Sequence, residues 1–277
     1  LKGEYYKMSS SSDILKKIKD EEIEYVDLRF TDPRGKLQHV SIIGDGVDED
    51  LLDDGWMFDG SSIAGWKSID QSDMKLVPDC SSSYVDPFYA EKTLCIHCNV
   101  AEPDTGELYN RDPRSTAVKA ESYLKSSGLG DISYFGPEAE FFLFDDVKFS
   151  NSMNKVSYEV DAIDASWNTD ADLEMGNMGH RPGVKGGYFP VNPVDAGQDI
   201  RSEMLSTMKE WECLLTNIIM RLHQTNMSLA LFLIHLLNKL MNFKNISMLY
   251  TMLPTPMGNL LLLCLSQLLE IMVLVCM

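Results

Sequence analysis

The sequence predicts an α+β fold, followed after Glu210 by a tail of different character. A helical pattern near the start is followed by several short, turn-bounded strand patterns with expected antiparallel pairing, which is typical of α+β domains. Residues 1–210 hold 40 of the 42 acidic residues and 21 of the 24 basic ones, whereas residues 211–277 hold two acids, three bases and half of the 16 methionines. We therefore expect the fold over residues 1–210 and a boundary at its end.

The charge of the chain limits the classes of partner. The 277 residues carry a formal net charge of −18, and the sequence pI is about 4.6. Nucleic acids and anionic membranes are bound by clustered Lys and Arg, so neither is expected as a main partner. The start, LKGEYYKMSS, lacks the apolar core of a secretory signal. We therefore expect a cytoplasmic protein whose six cysteines stay reduced.

The first elements expected are a helix and a hairpin. The stretch SSSDILKKIKDEE, from Ser10 to Glu22, has a helical pattern, and Ser12 or Asp13 is the expected N-cap. The stretch YVDLRFTDPRGKLQHVSI alternates apolar and polar residues on both sides of a turn that contains Pro33 and Gly35. This alternation indicates a β-hairpin.

Two further strand patterns, MKLVPD and TLCIHCNV, belong to the same domain. Cys95, His97 and Cys98 in the second pattern are also possible metal ligands. No second ligand pair follows at the spacing of a zinc site, so a plain strand is the favoured interpretation. The polar stretch EPDTGELYNRDPRS then marks the end of the domain near residue 111.

A second domain is expected from residue 112. Asp112 precedes a helical pattern, PRSTAVKAESYLKSSG, that ends at Gly128. The stretch ISYFGPEAEFFLFDD is typical of a strand, and DAGQDIRSEMLSTMKE begins a helix. Between them, residues 150–187 are polar, rich in Gly and Asn and without clear period, so we expect a long loop there.

Glu138 and Glu140 stand two residues apart in the strand pattern EAEFFLFDD. A strand places both side chains on one face, where two carboxylates repel unless a cation or a shared proton relieves them. Oxygen ligands of this kind suit Mg²⁺ or Mn²⁺. A solvent-facing edge strand explains the spacing equally well, so the pattern alone leaves both interpretations open.

Two loops also carry residues with chemical potential. MFDGSSIAGW contains Asp59 among turn-forming residues, so it is either an ordinary turn or a loop that presents a carboxylate. GHRPGVKGGYFP combines four glycines with His180, Arg181, Lys185 and Tyr188. Its spacing matches neither a Walker loop nor a dinucleotide-binding glycine motif. It is either a loop that approaches an anionic ligand closely or a rigid surface loop.

Taken together, several stretches resemble glutamine synthetase of the bacterial type. They occur in the order of that family over roughly residues 10–210 and are FDGSSIAGWKSIDQSDMKLVPD, DPFYAEKTL, YNRDPRS, FGPEAEFFLFDD and GHRPGVKGGYFPVNPVDAGQDIRSEM. The resemblance implies an N-terminal β-grasp domain over residues 1–111. It also implies the first part of a catalytic domain, built on a curved antiparallel sheet with helices, over residues 112–210.

The resemblance also implies an activity and its residues. The family uses ATP to phosphorylate the γ-carboxylate of L-glutamate, and ammonia then displaces the phosphate. Glu138 and Glu140 match carboxylates that bind Mg²⁺ or Mn²⁺, with two or more ions in each site. Asp59 matches the acid that reaches in from a neighbouring subunit and takes a proton from ammonium, and Tyr188 matches a tyrosine of the ammonium pocket. The family assembles as homo-oligomers, commonly dodecamers of two stacked rings.

The tail departs from the family, whose next motifs are rich in His and Glu and then in Gly. Codons for Asn217–Arg221, read one base out of step, permit His-His-His-Glu, and codons for Glu270–Met277 permit Asp-Asn-Gly-Ser-Gly-Met-His. We therefore expect residues 211–277 to be an out-of-frame translation of the same gene, and the chain as written to lack ligase activity.

Two other interpretations of residues 211–277 are a membrane-spanning helix and an amphipathic partner helix. NLLLLCLSQLLEIMVLVC has nearly the length of a membrane-spanning helix, but Gln267 and Glu270 inside it are costly in a bilayer. An amphipathic partner helix is opposed by Pro254 and Pro256. For the chain as a whole, the alternative to an enzyme is a truncated form that only oligomerises or that is tethered to a membrane.

Overall fold

A computed structural model describes residues 9–162, 165, 167, 181–182, 186–195, 197–210, 215–220, 226–231, 234–235 and 271–276. For residues 134–141, 210 and those after 214, it describes the backbone alone. The chain divides into two compact units, one built mainly from Leu1–Ser133 and the other mainly from Tyr134–Ile234.

Helices and strands alternate irregularly along the chain. The helices are α1 (Ser11–Asp20), α2 (Glu49–Asp54), α3 (Pro113–Ser127) and α4 (Gln198–Glu210). The strands up to Ala101 are β1 (Tyr25–Thr31), β2 (Leu37–Ile43), β3 (Trp56–Asp59), β4 (Asp73–Pro78), β5 (Tyr84–Val85) and β6 (Thr93–Ala101). The later strands are β7 (Ile132–Phe142), β8 (Asp146–Ser152), β9 (Lys155–Asp161), β10 (Leu215–Met220), β11 (Asn226–Leu231), β12 (Ile234–His235) and β13 (Ile271–Cys276).

The first unit is built on a mixed sheet with the order β2-β1-β6-β4-β3, and β5 also pairs with β6. The predicted β1–β2 hairpin and the strands at MKLVPD and TLCIHCNV are confirmed. The expectation of purely antiparallel pairing is wrong, because β1 and β6 run parallel. Strand β6 is buried along nearly its whole length, as is usual for a strand in the middle of a sheet.

Local signals fix the ends of the helices. The N-cap of α1 is Ser10, which forms a capping box with Asp13, and not Ser12 or Asp13 as the sequence suggests. The reciprocal hydrogen bonds of a capping box satisfy two backbone N–H donors at once, which favours the earlier start. In α3, the predicted start after Asp112 and the stop at Gly128 are confirmed; Asp112 is the N-cap, and Gly128 has the left-handed φ of 70°.

Apolar side chains from α1, α2 and the sheet form the core of the first unit. Ile14 and Ile18 of α1 lie against the fully buried Val26, Leu28 and neighbouring strand residues. Each aliphatic side chain removed from water in this way contributes about 1.5–3 kcal/mol. This burial holds the sheet in place, and the sheet in turn positions the loops at its edge.

A buried polar cluster joins β1 to the segment after β5. Arg29 is 2% exposed and donates to Asp27 Oδ2 at 2.7 Å, to Asp86 Oδ2 at 3.0 Å and to Tyr84 Oη at 2.6 Å. Burial pushes the pKa of Asp27 upward, but hydrogen bonds from Ser41 and Arg29 outweigh it and hold that pKa below its ordinary value. The cluster therefore buries ionised groups with their charges paired.

In the second unit, a sheet has the order β10-β11-β7-β12, with β13 also paired to β7. The strand predicted at ISYFGPEAEFFLFDD is confirmed as β7, and the helix predicted at DAGQDIRSEM as α4. The long loop expected over residues 150–187 is wrong at its start, where β8 and β9 form a hairpin. Phe149 and Tyr158 pair across this hairpin, and the alternation of apolar residues on that face is a strand signal.

The described segments of the tail are strands, and the stretch read as a possible membrane helix ends in β13. Among the residues that the structure describes, no helix has the length and apolar character needed to cross a bilayer.

Candidate functional site

Two glycines shape the loop that carries Asp59. Gly55 has a φ of 92°, and a Cβ there would lie 2.3 Å from the backbone oxygen of Leu76, so only glycine fits between α2 and β3. A Cβ on Gly60 would lie 2.3 Å from Met74 Sδ, so the loop can cross the buried Met74 closely only without a side chain at this position. Asp59 therefore ends β3, an edge strand of the sheet, at a fixed place.

The Asp59 carboxylate is exposed and held by the two serines that follow. Its Oδ1 accepts the Ser61 amide at 2.8 Å and the Ser61 hydroxyl at 2.6 Å, and its Oδ2 accepts the Ser62 hydroxyl at 3.1 Å. These hydrogen bonds, above all those from Ser61, lower the pKa of Asp59. The residue is therefore an accessible anion at neutral pH.

The surroundings of Asp59 favour a cation. Asp73 of β4 stands directly opposite Asp59 in the strand pair, and like charges in such a position repel. Among the described residues, no Lys or Arg forms an ion pair with Asp59. An added cation would relieve the repulsion between the two carboxylates.

An aromatic cluster packs around Trp66, in the part of the loop that follows Asp59. Trp66 lies against Phe30, Phe58 and Tyr109 with ring centroids 5.6, 6.1 and 5.6 Å away. Arg111 donates from Nη1 to the backbone oxygen of Gly65 at 2.5 Å. The loop read from the sequence as either a turn or a carboxylate-presenting segment is therefore both: a braced turn with its acid facing solvent.

Glu138 and Glu140 lie on β7, in the second unit, and their side chains are outside the described part. The backbone register pairs Glu140 with Ser228 and Glu138 with Ala230 of β11. Two carboxylates at this spacing suit a hard divalent cation. The paired positions on β11, Ser228 and Ala230, add neither a carboxylate nor an imidazole.

Tyr188 also belongs to the second unit. Its side chain is 52% exposed, and its ring centroid lies 4.3 Å from that of Phe189. The segment after it is anchored to α4 by Asp195, whose Oδ1 accepts Arg201 Nη1 at 2.9 Å. His180 and Lys185 lie outside the described residues, so the role of the glycine-rich loop stays a prediction.

The cysteine pattern of β6 and the residue Ser61 are the two remaining features of the first unit. Cys95 and Cys98 are buried in β6, as expected for a plain strand, and their thiols have raised pKa values because of burial. No group of three or more possible metal ligands occurs within the described ranges. Sequence reasoning assigned no role to Ser61. The pattern Asp-x-Ser-Ser occurs at Asp59 and again at Asp79, and this repetition is a signal that draws attention to Ser61.

Comparisons with known proteins place these residues in context. The family description "Glutamine synthetase, beta-Grasp domain" matches residues 22–103, and "Glutamine synthetase, catalytic domain" matches residues 110–242. The chain is 70% identical over 202 residues to glutamine synthetase of Cereibacter sphaeroides, covering 73% of this chain and 43% of the relative. It is 69% identical over 202 residues to glutamine synthetase of Rhodobacter capsulatus, covering 73% of this chain and 46% of the relative.

A solved structure agrees on the fold. Glutamine synthetase from Plasmodium falciparum matches with a TM-score of 0.78 at 21% identity, over 87% of this chain and 48% of that one. The chain thus spans less than half the length of the curated relatives that it matches.

Proposed function

The chain belongs to the glutamine synthetase family, and we propose that its gene encodes an ATP-dependent ligase that joins ammonia to the γ-carboxylate of L-glutamate. The observation that carries this proposal is the braced, exposed and ionised Asp59 at the end of an edge strand. The matches to the β-grasp and catalytic domain descriptions support the proposed reaction class. The free thiols of the first unit agree with a cytoplasmic location.

Asp59 is the residue that we assign to the ammonium step, in the site of a neighbouring copy. An ionised carboxylate attracts ammonium by charge and accepts one proton from it, which frees the nitrogen lone pair. The ammonia so formed adds to the carbonyl carbon of the γ-glutamyl phosphate that ATP has formed, and the bond from that carbon to the phosphate oxygen breaks with its electron pair on the phosphate. The amide nitrogen then releases its surplus proton to the departing phosphate. Tyr188 is proposed as a second residue of the ammonium pocket.

Glu138 and Glu140 are the residues that we assign to Mg²⁺ or Mn²⁺, with two or more ions in each site. When bound, such ions neutralise the charge of the transferring phosphoryl group. We propose that this chain alone does not carry out the reaction, because Ser228 and Ala230 stand where further ligands would be required.

The tail is proposed to be read one nucleotide out of frame. The register of β11 supports this, because the codons for Met227 and Ser228 permit a glutamate in the other frame at the position paired with Glu140. The nucleotide sequence tests the proposal directly. Codons that do not spell His-His-His-Glu one frame over would contradict it, as would glutamine formation by purified protein whose tail is verified by mass spectrometry.

Complementation tests the assignment of Asp59. The Cereibacter sphaeroides relative, with Asn at the position that matches Asp59, would be assembled into mixed rings with an excess of this chain. We expect ammonium-dependent glutamine formation to return with the unaltered chain and to be absent with its Asp59→Asn variant. Co-assembly without any return of activity would leave an oligomerisation module as the better description.

A further inference from the structure

The first unit contains the same local structure twice, at Asp59 and at Asp79. Asp59 caps a short 3-10 turn over Gly60–Ser62, and Asp79 caps another over Cys80–Ser82. In the second turn, Asp79 Oδ1 accepts the Ser81 amide at 3.1 Å and the Ser81 hydroxyl at 2.5 Å. Ser61 makes the same two bonds to Asp59 Oδ1, at 2.8 and 2.6 Å.

The second carboxylate oxygen distinguishes the two turns. At Asp79, Oδ2 accepts the guanidinium of Arg114, whose side chain is 9% exposed. At Asp59, the Oδ2 partner is the Ser62 hydroxyl at 3.1 Å, and no cationic side chain within the described ranges pairs with it. The turn at Asp79 thus presents its outer oxygen to a cation of the protein, and the turn at Asp59 presents the equivalent oxygen to solvent.

We propose that Ser61 is a positioning residue for Asp59: by occupying Oδ1 it holds the carboxylate so that Oδ2 faces the incoming ammonium ion. The inference rests on the proposed function. An exposed aspartate otherwise rotates freely about its terminal torsion, which has a broad, two-fold profile. Two hydrogen bonds to one oxygen restrict that rotation. At Asp79, the contact with Arg114 shows that the other oxygen of a carboxylate held in this way accepts a cationic N–H donor.

Three variants separate positioning from simple support of the turn. Ser61→Ala removes the hydroxyl bond and keeps the backbone one, whereas Ser61→Thr keeps a hydroxyl at the same atom. Ser81→Ala removes the equivalent hydroxyl bond in the matched turn at Asp79. In mixed rings with the Asn-bearing relative, Ser61→Ala is expected to raise the KM for ammonium about three- to tenfold, with kcat changed less than about twofold. Ser61→Thr and Ser81→Ala are expected to behave like the unaltered chain.

A second readout does not depend on catalysis. Carboxyl-carbon NMR of the full chain, labelled in aspartate, follows the titration of Asp59, assigned with Asp59→Asn. The pKa of Asp59 is expected to rise in Ser61→Ala and to return in Ser61→Thr, because the hydrogen bond favours the ionised form.

The two readouts keep the two proposals apart. If the unaltered chain restores no activity in mixed rings, the proposed function fails, and the titration still decides whether Ser61 holds Asp59. If Ser61→Ala changes neither the KM nor the titration, or if Ser81→Ala raises the KM equally, the positioning role is overturned.

Discussion

Replacing Ser228 by glutamate should create a stronger divalent-cation site in this chain. The register pairs Ser228 with Glu140, so the new carboxylate would stand opposite one of the two proposed metal ligands. Leu229, the next position along the same strand, is paired with Ala139, and successive positions of a strand belong to opposite faces of a sheet. The variant Leu229→Glu therefore adds the same charge without adding a ligand.

The expected size of the effect follows from the pairing. Opposite Cβ atoms in an antiparallel pair lie about 5 Å apart, and two carboxylates at about that distance repel by about 3 kcal/mol at an effective dielectric constant of about 20. A bound Mn²⁺ removes this repulsion and gains an oxygen ligand. We expect the Kd for Mn²⁺ to fall about 30-fold in Ser228→Glu, which corresponds to about 2 kcal/mol.

Titration of free Mn²⁺ by electron paramagnetic resonance measures this Kd directly. Circular dichroism of each variant with and without Mn²⁺ verifies that the fold is retained. Leu229→Glu should change the Kd by less than about twofold, and adding Glu140→Gln to Ser228→Glu should reverse most of the gain. Equal tightening by both single variants would refute the reasoning, because it would show that net charge, and not the register, attracts the ion.

Three further predictions concern the first unit. Arg29→Ala leaves buried carboxylates unpaired and should lower the free energy of unfolding by about 3–5 kcal/mol in urea titrations, against less than about 0.5 kcal/mol for the exposed Arg34→Ala. Because the fold lowers the pKa of Asp27, its stabilisation is present above the ordinary value of 3.8 and is lost as the pH falls through the lower folded-state pKa. Asp27→Asn should therefore flatten the acid side of the urea-midpoint profile, and an unchanged acid side would contradict this. Gly60→Ala forces Met74 to shift and should cost about 1–3 kcal/mol, whereas an unchanged thermal midpoint would mean that the loop relaxes freely.

Much of the first unit could be predicted from short-range signals. The turn with Pro33 and Gly35 and the start of α3 after Asp112 depend on residues a few positions apart, and both are found as expected. Such signals act through backbone hydrogen bonds and allowed φ values, so they are readable in any context. The alternation of apolar residues in β8 and β9 is a signal of the same kind, but the many polar residues of that stretch led to the prediction of a loop.

Pairings between distant segments were not predictable in the same way. Nothing near β1 indicates that it runs parallel to β6, because sheet partners are chosen by the packing of the whole unit. The same holds for Arg29, whose contacts with Tyr84 and Asp86 join positions more than fifty residues apart. The hydrophobic period and the turn residues predict the helices and strands, whereas their partners are known only from the assembled fold.

The two Asp-x-Ser-Ser turns show why the candidate site required the structure as well as the sequence. Asp59 and Asp79 have the same local sequence pattern, and Ser61 and Ser81 make the same contacts to them, so this pattern alone assigns no role to one and not the other. Arg114, 35 residues away from Asp79, decides the difference by supplying a buried cation there. Placing an arginine where it could reach Asp59 should therefore reduce ammonium binding in mixed rings, since an internal cation would occupy the oxygen that an ammonium ion requires.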